Sequence, residues 1–88
     1  MEMQIGDIVL SKSGRDSGRM FIVCGIIDDA FVFMADGDLR KIEKPKKKRR
    51  KHLELSKTIN IKLQDKLIKG QRVSNAELRE ALKTIEFK

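Results

Sequence analysis

Tryptophan and tyrosine are absent from this chain, and cysteine, histidine and proline occur once each. Each scarcity excludes something. Cys24 has no second cysteine, so no disulfide forms within the chain. One thiol and one imidazole, His52, do not make a zinc site of soft ligands. Cys24 sits in an apolar run with no charged neighbour to lower its pKa. It reads as a small buried hydrophobe in a reducing compartment, with the cytoplasm as the expected location. Without Tyr or Trp, and with four Phe that read as buried, no stacking platform of the single-strand-binding kind is expected. Long apolar runs are missing too, and the stretch 30–35 is far too short to span a bilayer. Met1-Glu2-Met3-Gln4 lacks a basic start followed by an apolar run, so no signal peptide is expected. Nor is a membrane partner, because no lipidation motif or amphipathic anchor accompanies the basic residues.

What is present is a charged chain: 38% of its 88 residues are Asp, Glu, Lys or Arg, and 40% are hydrophobic. That balance suits one folded domain. Area scaling puts the surface buried on folding at about 64% of that exposed by the unfolded chain. One modest core fits, but not an enclosed cleft between lobes. Catalysis is not expected. Asp28-Asp29 and Asp36/Asp38 are paired carboxylates, but turns use Asp for its backbone hydrogen bonds. Gly14-x-x-x-Gly18 lacks the Gly-Lys-Ser/Thr ending of a phosphate-binding loop. No cofactor, metal or small-molecule substrate is expected.

The net charge of +7 is unevenly placed. Residues 1–39 carry three bases against seven acids. Residues 40–51 carry nine bases against Glu43 alone, and residues 52–88 carry eight against five. So dense a cationic block repels itself and reads as solvated chain outside the core. Replacing 46–51 with Ser is therefore expected to leave the fold intact. A polyanion would neutralise the block and release its condensed counterions, which points to nucleic acid.

Periodicity divides the chain into a β part and a helical part. Ile8-Val9-Leu10 is a first strand, the polar stretch 11–18 a glycine-containing loop, and 20–27 a second strand. Asp28-Asp29 turns into a third strand over 30–35. Asp36-Gly37 then reads as a two-residue hairpin turn into a fourth strand over 38–42. Pro45 limits further pairing, and 52–55 reads as a short fifth strand. Strands two and three are apolar at nearly every position, so both faces should be covered. Helices are predicted over about 60–69 and 75–84. The first carries a stripe of Ile61, Leu63, Leu67 and Ile68 and stops at Gly70. The second has Ser74 as N-cap, Glu77 completing a capping box, Val73 stapling to Leu78, and Leu78, Leu82 and Ile85 on one face. The expected architecture is a mainly β barrel over 1–55, including the basic segment 40–51, with a helical extension over 56–88 packed on it in the same domain.

Gly6-Asp7-x-Val9, then Ser13-Gly14-Arg15-Asp16-x-Gly18 and an apolar strand, resembles the KOW motif of RNA-binding proteins. Gly18 matches the motif's fixed glycine. With Asp36-Gly37-Asp38, Arg40-Lys41, Pro45 and the Lys/Arg run, residues 6–55 look like small KOW-type ribosomal proteins of the large subunit. The resemblance implies an SH3-like barrel of about five strands. It implies binding of structured RNA, with ribosomal RNA the expected target and ribosomal proteins as further partners of a chain that is otherwise monomeric. The implied contacts are Ser11, Lys12, Ser13, Gly14, Arg15, Ser17, Gly18 and Arg19 of the loop. To these it adds Arg40, Lys41, Lys44, Lys46, Lys47, Lys48, Arg49, Arg50, Lys51 and His52 of the basic segment. Two alternatives compete. Residues 71–79 begin like the second half of a helix-turn-helix, which would read DNA, although Glu77 and Glu80 oppose it. Residues 45–51 also resemble a nuclear localisation signal, which would make this a nuclear-targeted interaction module.

Overall fold

The computed structural model describes residues 3–85. Five antiparallel strands form one sheet: β1 (Asp7–Ser11), β2 (Met20–Ile26), β3 (Phe31–Ala35), β4 (Lys46–Arg49) and β5 (Leu53–Ile59). Their order is β4-β3-β2-β1-β5. The first four make a meander, and a one-turn 3-10 helix at Arg50–His52 swings the chain round to pair β5 with the far side of β1. Curling the sheet this way gives it an inside and makes the small SH3-like barrel. Helices α1 (Ile61–Ile68) and α2 (Asn75–Lys83) pack on its outside.

Alternation along the strands splits the core in two. Val9, Phe21, Val23, Val32, Met34 and Leu53 fill the barrel interior. Ile8, Ile22 and Ala35 face outwards and are covered by Leu63, Val73 and Leu78. The near-continuous apolar character of β2 follows from this two-sided burial. Cys24 joins the outer layer, and burial pushes its thiol up to about 11.

The helix signals act locally, as their chemistry requires. Gly70 adopts φ +72°, while Gln71 N–H donates to Lys66 O (2.8 Å) and Gly70 N–H to Leu67 O (3.2 Å). Those two bonds are the Schellman ending. Ser74 Oγ accepts from Glu77 N–H at 3.1 Å, and Glu77 Oε1 reaches back to Ser74, whose hydroxyl donates to it at 3.4 Å. The other carboxylate oxygen accepts from Lys66 Nζ at 2.9 Å, joining the two helices. Val73, Leu78, Leu82 and Ile85 all face the sheet. The stripe on α1 is narrower than its sequence implies: Leu63 and Leu67 pack inwards, and Ile61 and Ile68 are exposed.

The predicted fourth strand over 38–42 does not form. Asp36 Oδ1 accepts from Asp38 N–H (3.0 Å) and Arg40 N–H (2.8 Å), while Asp36 and Gly37 N–H both donate to Arg40 O. The loop thus satisfies its own backbone, the competition with sheet pairing for which Asp is suited. The loop is then clamped to α2. Ile42 N–H donates to Asn75 Oδ1 (2.7 Å), and Arg79 Nη1 donates to Gly37 O (2.7 Å). The fourth strand comes from the basic run instead, with Phe31 opposite Arg49 and Phe33 opposite Lys47. The run is part of the sheet and Lys48 is buried, which overturns the expectation that 46–51 stands apart from the core.

Two glycines illustrate different needs. Gly18 has φ +88° and open space where a Cβ would stand, so conformation alone favours glycine there. Gly37 has φ +78°, and a Cβ would also collide with the Asn75 carbonyl oxygen. Gly18→Ala should cost about 1–2 kcal/mol from the left-handed backbone alone. Gly37→Ala should cost clearly more, because α2 must shift. Urea midpoints of the two variants check the ranking, and equal midpoints would contradict it.

Candidate nucleic-acid interface

Strand pleating sorts the basic run into two sets. Successive side chains of β4 point to opposite faces. Lys46 and Lys48 turn towards the β1–β2 loop, where Asp16 is buried. Lys48 Nζ lies 2.9 Å from Asp16 Oδ1 and donates to Ser13 O at 2.8 Å. Lys46 Nζ lies 3.3 Å from the other carboxylate oxygen, and Ser11 Oγ donates to Oδ1 at 2.7 Å. Burial acts to raise the Asp16 carboxyl's pKa. Hydrogen bonds from Ser11, Lys48 and Lys46 outweigh it and hold the group at about 2. A carboxylate on the loop therefore ties that loop to a strand 32 residues away in sequence.

The residues read as RNA contacts consequently fall into two groups. Ser11 and Lys48 are buried, with their polar atoms on Asp16 or the loop backbone, so their geometry supports the fold and leaves nothing for a ligand. Lys46 is partly so. Arg19 directs Nη2 at Asp36 (3.1 Å) and Asp38 (3.2 Å). The fork expected to meet phosphate already meets two carboxylates. Arg50 is committed as well. Nε and Nη2 donate to Asp28 O (3.1 and 2.8 Å), and its N–H donates to Ala30 O (2.8 Å), fixing the 3-10 turn against the β2–β3 turn. Asp28 Oδ1 caps that turn by accepting from Ala30 and Phe31 N–H, which holds its carboxyl below the usual range. Ser13, Arg40 and His52 are half-buried. Lys12, Gly14, Arg15, Ser17, Gly18, Lys41, Lys44, Lys47, Arg49 and Lys51 are exposed. Among the described residues, none of the seven bases in that last group forms an ion pair.

The outward set of β4 does not stand alone. Lys47 Nζ lies 4.5 Å and Arg49 Cζ 4.8 Å from the centre of the Phe31 ring. Phe33, two residues on, is 38% exposed on the same face. Both aromatics escape the helical lid that covers Ile8, Ile22 and Ala35. This corrects the expectation that the phenylalanines are buried: Phe21 is, Phe31 is half-buried and Phe33 is exposed, while Phe87 lies outside the described residues. The Phe-x-Phe spacing puts both rings on one face of the sheet, and the reach of the helices leaves that part of the face uncovered.

Arg49 also lines a groove of about 640 Å³ at the barrel end, with Lys12, Arg50, Lys51 and Lys57 against Asp29 and Glu54, beside Leu53 and Leu55. Lys57 was not among the sequence-predicted contacts. It reaches this rim because β5 bulges between its pairings with Val9 and Asp7, leaving Lys57 at φ +67°. Loop, groove and outer sheet face thus share a cationic surface. Among the described residues, no three His, Cys, Asp or Glu side chains come together in a way that could hold a metal ion. No family model and no curated protein matches the chain.

Proposed function

We propose that this protein binds RNA through the unpaired bases of β4, the 3-10 turn and the β1–β2 loop, and that it acts as a ribosomal or ribosome-associated protein. One observation carries the reading. Lys12, Arg15, Lys44, Lys47, Arg49 and Lys51 are exposed and form no ion pair among the described residues, although acids are plentiful in the first half of the chain. Three of those acids are engaged elsewhere: Asp16 holds the loop, and Asp36 and Asp38 hold Arg19. A surface left with unneutralised cations gains free energy from a polyphosphate, by releasing the counterions condensed on it. The exposed glycines of the loop, Gly14 and Gly18, let a sugar-phosphate backbone approach closely. The KOW resemblance of that same loop supports RNA as the polyanion. We assign the surface no catalytic step.

The test is a titration of a fluorescently labelled, folded ribosomal RNA fragment, with unlabelled duplex DNA of equal length as competitor. The expected result is binding that weakens steeply with salt and that RNA displaces better than DNA. Absence of binding at low salt would end the reading, and better displacement by DNA would redirect it.

A further inference from the structure

We infer that the Phe33 ring is a stacking site for an unpaired nucleobase of the bound RNA, with Lys47 and Arg49 receiving the flanking phosphates; the inference rests on the RNA-binding reading above. Phe33 lies between Gly25 on β2 and Lys47 on β4, its directly opposite partners in the sheet. A Cβ on Gly25 would stand 3.3 Å from Phe33 Cδ2, so the glycine gives the ring room to settle against β2. Next to it, Phe31 is occupied by Lys47 and Arg49. Among the described residues Phe33 has no such cation, and it is exposed at 38%, whereas Ile8, Ile22 and Ala35 of the same sheet lie beneath helices.

The surroundings choose the occupant. A purely apolar protein segment laid here would strip water from Lys47 and Arg49 without supplying an opposite charge, an unfavourable exchange. A nucleotide satisfies both parts of the patch: a π-face for the ring and phosphates for the two cations. Every base has such a face, so the stacking would tolerate any sequence. The same chemistry selects RNA structure, because a base within a duplex has both faces covered by its neighbours. The preferred target is therefore an RNA with a loop or bulge, in contrast to the lack of a stacking platform expected from a chain without Tyr or Trp.

The experiment compares a hairpin RNA bearing a single-stranded loop with a blunt duplex of the same stem, against the wild type, Phe33→Ala, Phe33→Leu and Phe33→Tyr. Stacking has no charge component, so its loss should lower affinity without changing the salt slope. The wild type and Phe33→Tyr should prefer the hairpin. Phe33→Ala and Phe33→Leu should each lose about five- to a hundredfold on the hairpin and nothing on the duplex. Phe33→Leu preserves apolar bulk, so it separates loss of the π-face from loss of folding. A 2-aminopurine in the loop should be quenched by the wild type and less so by Phe33→Leu. Hairpin affinity unchanged in both Phe33→Ala and Phe33→Leu, or equal loss on hairpin and duplex, overturns the inference while RNA binding stands. Failure of the wild type to bind either RNA overturns both. If sedimentation shows a dimer that Phe33→Ala dissociates with hairpin affinity unchanged, the patch is a self-association face and the inference is wrong.

Discussion

Asp16→Asn should destabilise the folded protein by about 3–5 kcal/mol, the usual cost of removing one partner of a buried ion pair. The loss arises because Lys48 keeps its charge within a buried site, with only Ser13 O and the substituted amide to receive its protons. Domains of this size have a total stability of only about 4–13 kcal/mol, so the variant would sit close to unfolding. Its urea midpoint should fall by more than about 1 M. Adding Lys48→Met to Asp16→Asn should restore much of the loss, since the stranded ammonium is then replaced by an apolar chain of similar length. An Asp16→Asn midpoint equal to the wild type's would show that the loop does not depend on this contact.

The same carboxylate should make stability fall in acid. Its folded pKa of about 2 is depressed from an ordinary 3.8. The stabilisation is therefore complete above the unfolded value and lost as pH falls from about 4 towards 2. A shift of this size corresponds to about 2–3 kcal/mol. Stability measured against pH should flatten over that window in the double variant, which lacks the group.

Replacing Lys47, Arg49 and Lys51 together with Ser should reduce RNA affinity on the order of a hundredfold at 0.1 M salt. The plot of log K against log salt should become shallower by about two to three, at roughly 0.7–0.9 for each phosphate no longer neutralised. Stability should change little, because these three side chains are exposed and surface substitutions usually shift it by less than about 0.5 kcal/mol each. Replacing the whole of 46–51 is a different experiment, since it removes Lys48 and should destabilise the fold as severely as Asp16→Asn. Lys62→Ser, an exposed base on α1, is the control and should leave the salt slope as it was. A triple variant with an unchanged slope would place the RNA on another surface.

The strands β1–β3, both helices, the stop at Gly70 and the cap at Ser74 were legible in the sequence. Each depends on residues within a few positions of one another, or on an alternation that any strand imposes. The concentration of bases in 40–51 was equally plain, as was the need for a lid over the outer face of β2. The fourth strand was misplaced because Asp36-Gly37 signals a turn but leaves open whether the next segment pairs with β3. Asp36 closed the loop on its own backbone, and α2 held that loop in place from more than 30 residues away.

The chain's composition and local patterning by themselves determined a small, curled antiparallel sheet with a helical cover and one strongly cationic segment. Only tertiary structure decided which of those cations remain available. Lys48 and Lys47 are neighbours of identical chemistry, yet one is buried against Asp16 and the other stands beside Phe31 in solvent. The pleat separates them, but pairing with β3 and the position of the β1–β2 loop decide which face holds the carboxylate. Phe33 is exposed for a related reason: the helices reach Ala35 and go no further along β3. How far a lid extends is a matter of packing between distant segments, and no local signal encodes it.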